Sequence, residues 1–331
     1  MNVDNESTLE LMPWHEAQWE KLLGLSIDQR LPHALLVTGP KFVGKNEFVS
    51  LFAAKLLCRE TEGMPCGQCN QCLLVKAGTH ADLLYIGLED SKQIKVEQIR
   101  RLIEWANQTA QQGGKQVCII NPADKMNVQA SNALLKSLEE PTANTIIMLV
   151  TDQRSTLLPT VRSRCHHIEL RQPSTELATQ WLARRMDAKA NIGLLLEIAD
   201  GSPRRVQIEI DEDFLSIRQT VASVLVPLVR GETSPLRTAA MLVKEDPSKV
   251  LEILYHLIAD SIKFSLAADN YEIKNKDVEI ILIEFSAAVD ITNRYRLLDR
   301  VLEARRVLSG TSNPNTQMLL EWVLQIPRAS T

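Results

Sequence analysis

The chain has 331 residues, 45% of them hydrophobic, enough for two or three domains with real cores and too apolar for a disordered chain. Its 37 Lys and Arg are outnumbered by 41 Asp and Glu, a net charge of -4 that excludes a general nucleic-acid coat and leaves only local or shared contacts with DNA. No apolar run reaches membrane-spanning length and no signal peptide is read, so a reducing cytoplasm is expected, with thiols rather than disulfides.

In chain order, residues 34–38 (ALLVT) predict an apolar strand. The turn Gly39-Pro-Lys-Phe-Val-Gly44-Lys45-Asn46 follows, and Phe48, Val49, Leu51, Phe52, Leu56 and Leu57 then recur at helical spacing. Strand, turn and helix are the context of a phosphate loop, Gly-x4-Gly-Lys-Ser/Thr. Gly39, Gly44 and Lys45 match it: the glycines permit the anion-cradling turn, and the lysine reaches the β- and γ-phosphates. Asn46 departs from it, because the hydroxyl that normally coordinates magnesium is missing. The segment is compatible with weak ATP or ADP binding and with a relic turn.

Cys58, Cys66, Cys69 and Cys72 come next, spaced Cys-x7-Cys-x2-Cys-x2-Cys. Four sulfurs suit tetrahedral zinc with no position left for water, so the metal would be structural. A four-iron cluster fits less well, since Lys76 stands where its fourth cysteine would be. Four unligated thiols are the bland alternative, and His80 is a substitute ligand not needed by a closed shell. Cys118 and Cys165 read as packing residues.

LLYI (83–86) predicts a second strand; Val96, Ile99, Leu102, Ile103 and Ala106 line one helical face; QVCII (116–120) predicts a third strand. An ATPase should place carboxylates after that strand, to organise magnesium and polarise water. This chain has Asn121 and Pro122 there, with Asp124 further on as a turn or cap residue. Asn127 predicts the cap of a helix carrying Leu134, Leu135 and Leu138 and stopped by Pro141. TIIMLV (145–150), followed by Thr151 in a position to sense a phosphate, and HHIEL (166–170) complete five strands. Alternating strands and helices predict an α/β fold with a parallel sheet covered on both faces. Arg162-Ser163-Arg164 precedes the last strand, and an arginine there could reach a neighbour's phosphate or simply be a salt-bridged surface residue. Residues 171–208 predict a small helical unit ending at Gly201-Ser-Pro-Arg-Arg205, and the rest predicts helices over 212–230, 248–267 and 278–309.

The order of phosphate-loop remnant, cysteine knuckle, GTHAD (78–82), NALLKSLEEP (132–141), SRC (163–165) and GSPRR (201–205) resembles the bacterial clamp-loader AAA+ subunits over nearly the whole chain. The resemblance implies a RecA-like AAA+ domain over 1–167 with a zinc-binding insertion at 58–72, a helical lid over 168–208, and an all-α collar over 209–331 that assembles a ring. It implies that the four cysteines bind zinc and that Arg164 is an arginine finger acting on an adjacent subunit's nucleotide. It further implies that Thr151 and Arg204 occupy the two sensor positions, idle if Lys45 holds no nucleotide. The implied partners are the gamma/tau ATPase subunits and the delta subunit, with the sliding clamp and primed DNA met through the complex. The implied role is a non-hydrolysing stator in loading the clamp; nucleotidyl transfer would belong to the DNA polymerase holoenzyme it serves. Two competitors stand beside it. An active gamma/tau-type ATPase is opposed by Asn46, Asn121 and Pro122, and a zinc-bearing DNA-binding module by the acidic balance.

Overall fold

The computed structural model describes residues 10–60, 63–89, 91–112, 114–142, 144–187, 190–210, 212–266, 278–310 and 315–326. The chain divides into two compact units, Met1–Leu177 and Ala178–Thr331.

The first unit is built on five parallel strands: β1 (Ala34–Thr38), β2 (Leu83–Ile86), β3 (Gln116–Ile120), β4 (Thr145–Thr151) and β5 (His166–Glu169), in the order β2-β3-β4-β1-β5. Alternation along the strands sends side chains to two cores. Leu35, Val37, Val117, Ile119, Met148 and Val150 meet Phe48, Leu51 and Phe52 of α2 (Lys45–Leu57), with Trp19 and Leu22 of α1 (Glu16–Ile27). Ala34, Leu36, Cys118, Ile120, Ile147 and Leu149 meet Ile99 and Leu102 of α4 (Val96–Ala106) and Leu134 and Leu138 of α5 (Val128–Glu139) on the other face. Between α2 and β2 lies the short helix α3 (Asn70–Lys76), and α6 (Pro159–Arg162) precedes β5. Asn127 caps α5, its Oδ1 accepting from the Ala130 N–H at 2.8 Å.

Parallel strands put their carboxyl ends on one edge, where ligands bind in open α/β sheets. Thr38 lies beside Thr151 on β4 and Glu169 on β5 in the register. The loop after β1, Asn121 after β3 and Asp152 after β4 therefore leave the sheet at this edge.

The second unit is helical. The boundary between the units falls inside α7 (Thr175–Ala183), and α8 (Ile192–Ile198) and α9 (Pro203–Glu209) follow. The remaining elements are α10 (Glu212–Arg230), α11 (Pro235–Leu242), α12 (Pro247–Leu266), α13 (Glu279–Ala288), α14 (Ile291–Gly310) and α15 (Thr316–Val323). The single helix expected over 278–309 is two: Val289 turns extended, and Asp290 accepts from the Asn293 N–H at 3.0 Å to start α14. The expected end of the preceding helix at residue 267 lies outside the described residues. Among the described residues, no helix is long and apolar enough to cross a membrane.

Candidate metal centre and phosphate-loop site

The four cysteines converge because α2 ends at Cys58 and α3 begins just after Cys69, which places Cys72 on the first turn of α3. All four Sγ atoms lie within 4.8 Å of one another, with Cys66 to Cys72 at 3.9 Å and Cys58 to Cys69 at 4.0 Å. Zn–S bonds of about 2.3 Å in a tetrahedron set sulfurs about 3.8 Å apart, so one ion fits between these four. The Cys69 N–H donates to Cys66 Sγ at 3.3 Å and the Cys66 N–H to Cys58 Sγ at 3.5 Å, as expected of groups poised to receive thiolate charge. At Cys72 burial pushes the thiol up to about 12. At Cys58 burial acts the same way, but backbone N–H groups of Cys66 and Glu60 and the neighbouring thiols outweigh it and bring the thiol down to about 6. A cation at the centre would remove the obstacle to ionising Cys72. His80 is not a ligand: its Nε2 meets Gln71 Oε1 at 2.7 Å, and its Nδ1 accepts from the Asp82 N–H at 3.0 Å.

The phosphate-loop segment has the shape its glycines allow and the occupancy its neighbours impose. Gly44 has φ +98°, and a Cβ there would fall 2.3 Å from Met12 Sδ; a Cβ on Gly39 would fall 2.3 Å from the Leu170 carbonyl oxygen. Met12 and His15 thus lie against the loop, with Trp14 Nε1 donating to the Val43 carbonyl at 2.9 Å. Burial lowers the His15 imidazole to about 4; the Lys45 charge acts in the same direction, against a hydrogen bond with the Val43 backbone.

Lys45 is only 7% exposed, and its ammonium is spoken for. Nζ donates to the carbonyls of Gly39 at 3.0 Å and Pro40 at 2.6 Å and pairs with Asp152 Oδ1 at 2.5 Å. Asn46 and Asn121, at the positions of the magnesium hydroxyl and the strand-three carboxylate, bond to each other: Asn121 Nδ2 donates to Asn46 Oδ1 at 2.7 Å and to the Tyr85 hydroxyl at 2.9 Å. The Thr151 hydroxyl donates to Asp124 Oδ1 at 2.7 Å and accepts from the Gln153 N–H at 2.9 Å. Gly39, Gly44, Lys45 and Thr151 therefore share one edge of the sheet, while Arg204 lies in the second unit, its Nη1 donating to Gln207 Oε1 at 3.1 Å. Sequence reasoning missed Asp152, Tyr85 and the Met12–His15 cover; only Asp152, next to Thr151, carried a positional hint.

Arg164 stands elsewhere, after α6. Its Nη1 donates to the Thr160 carbonyl at 3.0 Å, and its Nη2 pairs with Glu139 Oε1 at 2.5 Å, at the end of α5. Both side chains are solvent-accessible, 36% and 50% exposed. The guanidinium is held by an exposed partner, so a stronger anion could take it over.

Comparison with known proteins adds the lineage. Residues 14–174 match the family described as DNA polymerase III, delta subunit, and residues 212–327 match DNA polymerase III, delta subunit, C terminal. The DNA polymerase III subunit delta' of Pseudomonas aeruginosa is 32% identical, over 95% of this chain and 96% of its own. That of Escherichia coli (strain K12) is 30% identical, over 93% and 92%. The DNA polymerase III subunit tau of Salmonella typhimurium is 30% identical over 70% of this chain and 35% of its own length.

Proposed function

The chain belongs to the DNA polymerase III delta' family of AAA+ clamp-loader subunits, and from that premise we propose that it is a non-hydrolysing stator. The observation that carries the reading is the fate of Lys45: its three donors meet two loop carbonyls and Asp152, leaving the charge that should meet phosphate already neutralised. The mutual amide bond of Asn46 and Asn121 supports it, since neither residue is a carboxylate able to bind magnesium or activate water. Thr151 and Arg204 would then keep sensor positions without a nucleotide to sense.

In this reading Arg164 acts in trans, leaving Glu139 for the charge on a phosphate held by a neighbouring gamma/tau ATPase subunit. The delta subunit completes the assembly, and the sliding clamp and primed DNA are met through it, in the cytoplasm. The expected division into AAA+ domain (1–167), lid (168–208) and collar (209–331) is kept with its first boundary moved beyond β5, which pairs with β1 through Glu169. Zinc at Cys58, Cys66, Cys69 and Cys72 supplies a structural cross-link and no chemistry, because four sulfurs leave no open position.

The purified chain is expected to hydrolyse ATP at background rate, and Lys45→Ala is expected to leave that rate unchanged. Steady turnover abolished by Lys45→Ala would contradict the reading and favour an active gamma/tau-type ATPase.

A further inference from the structure

The motif GSPRR contains two adjacent arginines, and only the first is taken up by the sensor position. Gly201 has φ +77°, Ser202 Oγ accepts from the Arg205 N–H at 3.3 Å, and Pro203 opens α9, so the helix starts at a fixed point. Consecutive helical residues point about 100° apart. Arg204 stays partly exposed, whereas Arg205 turns inward and is 6% exposed.

Arg205 meets groups from three pieces of chain. Nη1 donates to the Ile198 carbonyl at the end of α8 at 3.3 Å and to Asp200 Oδ2 in the α8–α9 turn at 3.2 Å. Nε donates to Glu209 Oε2, one turn on in α9, at 3.2 Å. Nη2 pairs with Glu252 Oε1 on α12. His256, also on α12, brings Nε2 to 3.7 Å from Asp200 Oδ2 and 3.9 Å from Glu252 Oε1. One guanidinium therefore serves three carboxylates, and without it Asp200, Glu209 and Glu252 would lose the cation they share. A planar fork with separate donor edges can hold this arrangement, and the compact ammonium of lysine cannot. Residue 205 lies between the segments matched by the two family descriptions, 14–174 and 212–327.

We propose that Arg205 is a rivet: through Glu252 it fixes the small α8–α9 helical pair onto α12 of the long-helix bundle, so that the two move as one body. The proposal rests on the stator reading for its purpose, since a subunit that hydrolyses nothing contributes by holding its shape. Arg205 is a positioning residue.

The test is a distance distribution in the full chain, by double electron–electron resonance, with bioorthogonal spin labels at exposed positions of α8 and α14. The unsubstituted chain is expected to give one narrow distance. Arg205→Met, which keeps bulk without charge, is expected to add a second, longer population; Arg205→Lys should give a smaller share of it, and Arg204→Met none. A narrow distance in Arg205→Met, or equal broadening in Arg204→Met, overturns the rivet. If Arg205→Met does not fold, Glu252→Gln replaces it, keeping Arg205 with Asp200 and Glu209 but loosening α12; a narrow distance there overturns the proposal. Broadening with undiminished clamp loading by the reconstituted complex leaves the rivet standing and counts against the stator reading instead.

Discussion

Replacing Arg164 by alanine is expected to lower the DNA- and clamp-stimulated ATPase of a reconstituted loader while leaving this chain folded and able to assemble. Two magnitudes separate the outcomes. As a structural residue Arg164 holds one exposed pair with Glu139, and such pairs contribute about 0–1 kcal/mol. As a finger it would contribute on the order of 10³–10⁵ in rate at the site it serves. The loss in the whole complex should be partial, because other sites in the ring would use other arginines. Arg164→Lys should not restore activity, since lysine lacks the planar fork, and Arg162→Ala should be milder. The measurement is steady-state ATP turnover with assembly checked by gel filtration. Normal assembly with full stimulated turnover and full clamp loading in Arg164→Ala would remove the trans role.

The second large effect concerns the knuckle. Protein purified without added zinc is expected to carry one zinc per chain, and a strong chelator should expose all four thiols to titration and loosen residues 58–72. Structural zinc binds with an apparent free energy of about 10–16 kcal/mol near neutral pH, far more than the neighbouring hydrogen bonds, each about 1 kcal/mol, can replace. Cys66→Ser and Cys69→Ser should each reproduce the loosening without metal removal. Because the ligands must be thiolates, zinc affinity should fall as pH falls. Metal content near zero, with freely titratable thiols in the native protein, would sink the assignment.

The sheet was legible because its strands are continuous apolar runs: QVCII and LLYI match β3 and β2 at both ends. The cysteine cluster was legible because its spacing is local: Cys66, Cys69 and Cys72 lie around one helix start, and Cys58 ends the helix before them. The phosphate-loop site was legible only in its deficits. Asn46 and Asn121 mark where the sequence departs from the motif, but their bond to each other depends on β1 and β3 ending at one edge. The Lys45–Asp152 pair likewise exists only through the β1–β4 register, which places Thr38 beside Thr151. The division of 278–309 had a readable sign in Asp290, a helix-start residue inside an apolar pattern. Arg205 had no such sign: next to Arg204 in one motif, it differs only in which way the helix turns it.

The most direct test of a subunit that contributes an arginine and a rigid frame without hydrolysing is co-purification with the candidate gamma/tau and delta subunits, with ATP turnover measured with and without this chain. A stable complex is expected, with stimulated turnover that rises when the chain is added and is indifferent to Lys45→Ala. Turnover that is unchanged by adding the chain, or that depends on its own Lys45, would contradict it.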